Sequence, residues 1–189
     1  MTGLPCAWAR NNPLMLKYHD EEWCVPSYDD RYLFEMLNLE GAQAGLSWQI
    51  ILNKRAGYKA AFKNFEIERC AALTDKELEE IRLRGDIIRN RLKIQAVRTN
   101  AKAAQNIQIE FGSLANYMWH FTNQKRVIHQ VTSEQDRPVK NNLSKQISAD
   151  LKKRGFKFVG EIIIYSYLQA IGIIEDHQVT CPKYNQSLT

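Results

Sequence analysis

Apolar positions recur along this chain mostly with the 3.6-residue period of a helix, and rarely with the two-residue period of a strand. Tyr32, Leu33, Met36 and Leu37 fall on one helical face directly after Asp29 and Asp30, whose side chains suit an N-cap. Tyr58, Phe62 and Phe65 are expected to continue such a stripe. Residues 74–77, TDKE, spell a capping box: the Thr74 hydroxyl can meet the Glu77 backbone while the Glu77 carboxylate reaches back. Leu78 and Ile81 then form the buried side. Ile88, Leu92, Gln95, Ala96 and Ala103 predict a further helix, and Ser113 caps one carrying Leu114, Tyr117, Met118 and Phe121. Prolines at 5, 13, 26, 138 and 182 leave the long middle of the chain free for helix. Strand-like alternation is confined to residues 126–131, and only weakly; residues 132–142 read as an exposed polar loop. The pattern predicts an all-α fold without repeats.

The stretch LSKQISADLKKRGFKFVGEIIIYSYLQAIG reads as helix, hairpin near 152–161, and helix. Leu143, Ile147 and Leu151 keep helical spacing. Gly155 follows Lys152, Lys153 and Arg154, the combination that ends a helix in a left-handed cap. Phe156 and Phe158 are expected to anchor the turn in the core, and Gly160 to let the backbone approach something closely. The next helix starts with free backbone N–H groups, a natural phosphate site to which Lys157 adds positive potential. Two readings stand. Gly155, Lys157 and Gly160 grip a DNA backbone without reading bases, or this is an ordinary αα-hairpin with a solvated basic turn.

Length and composition narrow the class. With 189 residues and 44% apolar content the chain can bury a substantial core, which excludes a disordered tail. One domain spanning residues 1–189 is expected, with two helical lobes sharing a core as the alternative. Lys plus Arg minus Asp plus Glu is 26 − 21 = +5, a mild excess that suits a polyanionic partner and equally a basic enzyme. The opening MTGLPCAWAR lacks the pattern of a signal peptide. The most apolar stretch, 162–174, is interrupted by Ser166 and Gln169 and too short to cross a bilayer. A cytoplasmic monomer without membrane contact is expected. Cys6, Cys24, Cys70 and Cys181 are then thiols or metal ligands, not disulfides.

The segment EDHQVTCP places His177 and Cys181 four residues apart, and the N-terminal segment adds Cys6 and His19. Together they make a Cys2His2 set, which suits zinc and leaves no open position, so such a site would be structural. It would tie the two ends of the chain together. Spacing alone also allows buried thiols and hydrogen-bonded histidines, and Cys24 could replace Cys6.

CAW near the start, YHDEEW, LFEMLNLEGAQAGLSW, KKRGFKFVG and the closing DHQVTCP together resemble 3-methyladenine DNA glycosylase I over residues 6–182. The resemblance implies an all-α, helix-hairpin-helix DNA glycosylase-like fold whose termini are joined by one structural zinc ion on Cys6, His19, His177 and Cys181. It implies hydrolytic excision of 3-methyladenine from alkylated double-stranded DNA, with the free base as product. Glu40 matches the family's base-recognising carboxylate and is the candidate catalytic residue. Tyr18 and Trp48 match aromatic residues of the base pocket, and Trp8 resembles a further wall. Four positions depart from the pattern: Met15 stands where some relatives carry a tyrosine, Cys24 where glycine is common, and Asn90 and Leu92 differ from an HRGK-like run. Related glycosylases place a catalytic aspartate after the hairpin, but the type resembled here does not depend on one, so Asp176 is not expected to be catalytic. No lysine stands out as an imine-forming nucleophile, so hydrolysis without strand cleavage is expected. The rivals are a non-catalytic zinc-containing protein that recognises alkylated bases, and a metal-dependent nuclease, which a closed Cys2His2 set argues against.

Overall fold

The computed structural model describes residues 3–184; positions 1–2 and 185–189 of the expected 1–189 domain lie outside the described residues. The described chain is mostly helical: α1 (Pro13–Glu21), α2 (Asp30–Gln43), α3 (Trp48–Ala61), α4 (Ile67–Ala71), α5 (Asp75–Arg84), α6 (Arg91–Phe111), α7 (Leu114–His120), α8 (Asn142–Lys153) and α9 (Glu161–Ala170). The caps read from the sequence are formed. Asp29 accepts from the Tyr32 N–H, Ser113 from the Asn116 N–H, and Thr74 and Glu77 close their capping box. Helix α2 is central, buried along Leu33, Met36, Leu37 and Leu39, and packed against α3, α6, α7 and α9. Its first residue, Asp30, accepts from the side chain of Gln108 and the N–H groups of Leu114 and Ala115. That carboxylate pins the α6–α7 junction onto α2.

Three expectations need correction. The stripe through Tyr58, Phe62 and Phe65 is not one helix: α3 stops at Ala61, and Lys63, Asn64 and Phe65 take φ of 52°, 56° and 56°. Both phenyl rings are fully buried, and that burial outweighs the roughly 1–2 kcal/mol cost of each left-handed residue. Helix α6 starts at Arg91, capped by Asn90, so Ile88 precedes it; Leu92 is 67% exposed, and Ile94, Val97, Ala101, Ala104 and Ile107 form the buried side. The weak strand exists as β1 (Val127–Ile128), but its partner was not foreseen. It pairs in parallel with β2 (Ile174–Glu175), and a further bridge joins Val131 to Gln178.

Helices α8 and α9 form the expected hairpin. Gly155, at φ 93°, donates to the Lys152 carbonyl, and Phe156 donates to that of Leu151, a Schellman cap. Phe156 and Val159 are buried, whereas Phe158 is half-buried at φ 57°. A Cβ on Gly41 would lie 3.1 Å from the Phe158 Cβ, so glycine there lets α2 abut the turn. Gly160 makes no close approach; it caps α9 without a side chain, at φ −63°. Asn100 on α6 accepts from the Lys157 N–H and donates to Asn38, fixing the turn against the core. No helix among the described residues is long and apolar enough to cross a membrane.

Candidate active site

A cavity of about 240 Å³ opens where α1, α2, α3 and α9 meet. Glu40, in the last turn of α2, points its carboxyl into this space and is 4% exposed. Among the described residues no cation offsets that burial, and burial alone pushes its pKa up to about 8. Trp48 starts α3 and Tyr18 lies in α1; their ring centroids are 5.3 Å apart and the planes are inclined by 54°. Trp8, in a short 3-10 turn, adds a third ring 6.4 Å from Tyr18. The indole N–H groups of Trp8 and Trp48 are buried without a partner. Lys93 holds this frame together: its Nζ donates to the carbonyls of Ala42 and Ala44, at the end of α2 and on the turn toward Trp48.

The structure thus brings Glu40, Tyr18, Trp48 and Trp8 to one cavity, with Met15 on its wall. It adds residues the sequence reading missed: Trp23, Gln43, Arg137, Ser166 and Gln169. Trp23 closes the quoted YHDEEW and packs edge-on to Trp8 at 5.0 Å. Arg137 was assigned to an exposed loop, but its guanidinium lies 5.2 Å over the Trp23 ring, with Nε and one terminal nitrogen buried and unpartnered. Ser166 and Gln169, which interrupt the most apolar segment, share the face of α9 turned to the cavity. That interruption was the available signal. Asp176 does not line the cavity; it accepts from Tyr165 and Gln169 and pairs with His129.

Behind the Trp23 ring lie the candidate metal ligands. Donor atoms of Cys6, His19 and Cys181 fall within 4.8 Å of one another, and the His177 ring meets that of His19 edge-on, at 4.8 Å between centroids. Cys6 and Cys181 share a proton: the hydrogen bond from Cys6 holds the Cys181 thiol well below its usual range, and the same bond pushes Cys6 up. His19 Nδ1 meets Asp20 at 2.7 Å and His177 Nδ1 meets Glu175 at 2.6 Å, which turns both Nε2 atoms away from those carboxylates; that of His19 accepts from the Cys6 N–H at 3.4 Å. The Nε2 of His177 is buried without any partner. The His19 Nε2 to Cys181 Sγ distance is 3.6 Å. A tetrahedral centre with ordinary zinc–sulfur and zinc–nitrogen bonds needs about 3.6 Å between such ligands. Three of the expected donors, Cys6, His19 and Cys181, thus have spacing that suits tetrahedral zinc, while His177 stands beside them and groups by donor distance with Cys24 and Glu175. Cys24 groups instead with Glu175 and His177, at φ 62°, a conformation that explains why glycine suits this position.

The three hairpin residues lie apart from these ligands. Lys157 is exposed, and Gly155 and Gly160 bracket the turn. The first turn of α9 adjoins a second hollow that shares Glu40, Gln43 and Ser166 with the main cavity and reaches Ile162. Glu161, at the start of α9, pairs with Lys140.

A cavity that buries one carboxyl among indole and phenol rings has the chemistry to hold a flat, cationic ring. The chain belongs to the methyladenine glycosylase family, whose sequence profile matches residues 8–184. It is 42% identical over 179 residues to DNA-3-methyladenine glycosylase 1 of Escherichia coli (strain K12), covering 95% of this chain and 96% of that one. It is 37% identical over 177 residues to DNA-3-methyladenine glycosylase of Haemophilus influenzae, covering 94% and 96%. A solved structure of a variant of 3-methyladenine DNA glycosylase I in complex with 3-methyladenine superimposes with a TM-score of 0.92, at 34% identity and 95% and 97% coverage.

Proposed function

We propose that this protein hydrolyses the N-glycosidic bond of 3-methyladenine in alkylated double-stranded DNA, acting as a single-domain cytoplasmic monomer. The activity follows that named for its relatives, and the observation that carries it is the buried, unpaired Glu40 facing aromatic rings.

Methylation at N3 leaves the base positively charged while it is attached to deoxyribose. Cleavage sends the bonding electrons to the base, which departs neutral; water adds to the sugar carbon and releases a proton. The protein's main tasks are to extract the base from the stack and to select it. Tyr18, Trp48 and Trp8 offer π-faces worth roughly 0.5–2 kcal/mol per good contact with a cation. Glu40 sharpens that preference. Its carboxyl is largely protonated in the empty cavity below about pH 8, and a cationic ring makes its ionisation favourable again. Neutral adenine supplies no such compensation. Ionised Glu40 then accepts from the exocyclic amine and stabilises the oxocarbenium-like sugar as the bond breaks. No lysine lines the cavity among the described residues, and Lys93 is engaged by Ala42 and Ala44, which favours hydrolysis over an imine.

Cys6, His19, His177 and Cys181 would hold a zinc ion, which would supply a structural clamp between the two ends of the described chain. The hairpin, with Gly155, Lys157 and Gly160, takes the DNA backbone in helix-hairpin-helix fashion. A single-turnover assay on methylated duplex DNA tests the main proposal. Free 3-methyladenine without strand nicking is the expected product; tight binding with no base released would make the protein a recogniser, not an enzyme.

A further inference from the structure

We infer that Gln169 is a second reader of the base's exocyclic amine, locked as a hydrogen-bond acceptor by Asp176; this rests on the glycosylase reading above. Gln169 is 7% exposed and lines the cavity opposite α2. Its Nε2 donates to the Asp176 carboxylate at 2.6 Å. That carboxylate is fully buried and also takes the Tyr165 hydroxyl at 2.7 Å and His129 Nδ1 at 2.6 Å. A carboxylate oxygen accepts, and Oδ2 takes both the Tyr165 hydroxyl and the amide, so the amide end facing it is the NH2. The carbonyl Oε1 is then the free end, without a partner among the described residues.

Such a second acceptor has work to do. Adenine carries two N–H bonds on its exocyclic amine, and guanine a carbonyl at the same place. Ionised Glu40 accepts from one of the two N–H bonds and leaves the other for a second acceptor. An amide held with its oxygen forward cannot donate. It accepts from the amine and opposes the carbonyl, oxygen to oxygen. Gln169 is thus a specificity-determining residue, and Asp176 a positioning residue acting through it.

The test compares release of 3-methyladenine and 3-methylguanine from methylated duplex DNA by the wild type, Gln169→Met and Asp176→Asn, with melting temperatures recorded. In Gln169→Met the adenine-to-guanine ratio should fall about fivefold, the worth of one hydrogen bond. Asp176→Asn should lower the ratio too, because an amide partner lets Gln169 present either end. Simple structural damage would slow both releases together and leave the ratio intact. An unchanged ratio in Gln169→Met overturns the inference, and this variant decides if Asp176→Asn does not fold. Wild-type protein that releases no 3-methyladenine overturns the glycosylase reading instead.

Discussion

Glu40→Gln should make the protein more stable, by an amount that depends on pH. Burial raises the Glu40 pKa from its ordinary 4.5 to about 8. Below pH 4.5 the carboxyl is protonated in the folded and unfolded chain alike, and the site costs nothing. As pH rises from 4.5 to 8 the unfolded chain ionises first, so folding stability falls; above 8 both states are ionised and the full cost is in place. At about 1.4 kcal/mol per pH unit, that cost is roughly 3 kcal/mol at pH 7 and approaches 5 kcal/mol above pH 8. The variant carries no titrating group there and escapes it. Urea unfolding of both proteins, followed by circular dichroism at each unit from pH 4 to 8, gives the gap directly. Metal-ligand protonation affects both proteins equally and cancels. The gap should be near zero at pH 4 and widen steadily, while the variant's preference for 3-methyladenine over other purines weakens. A gap that stays flat over this range would refute the reasoning, since Glu40 would then be ionised or hydrated in the folded state.

Other substitutions probe the rest of the molecule. His177→Ala should lose zinc and melt at lower temperature; equal metal content and melting temperature in the two proteins would sink the clamp. Lys157→Glu should weaken binding to all DNA sequences and flatten the dependence of affinity on salt, whereas a loss confined to certain sequences would mean that the hairpin reads bases. Lys93→Met removes two charged hydrogen bonds to the Ala42 and Ala44 carbonyls. It should cost about 1.5–3 kcal/mol of stability and raise KM for alkylated DNA, because Glu40 and Trp48 flank the turn it holds; chemical denaturation and steady-state kinetics measure both.

Much of the helical framework was legible because its signals are local. Thr74 with Glu77, Asp29 with Tyr32, and Gly155 after three basic residues each act within a few positions of themselves. Signals that depend on distant partners were not legible. Two-residue strands are too short to show a period, so β2 was hidden and β1 only hinted. The aromatic stripe crossed a kink because Phe62 and Phe65 are buried whichever backbone carries them. Leu92 looked like core by residue type but faces solvent. In the cavity, the residues tied to quoted motifs were anticipated. Arg137 and Gln169 come from segments more than a hundred residues from Tyr18, and only folding places them on its wall.

The walls contributed by Trp8, Tyr18 and Trp23 come from residues 8–23, yet the cluster behind them takes in Cys181 and abuts His177, from the far end of the described chain. The backing of the receptor's rings can therefore form only after residue 181 has been synthesised. A chain that stopped short of Cys181 would carry Glu40 and every described helix, yet lack the thiol that meets Cys6 and His19 behind the rings.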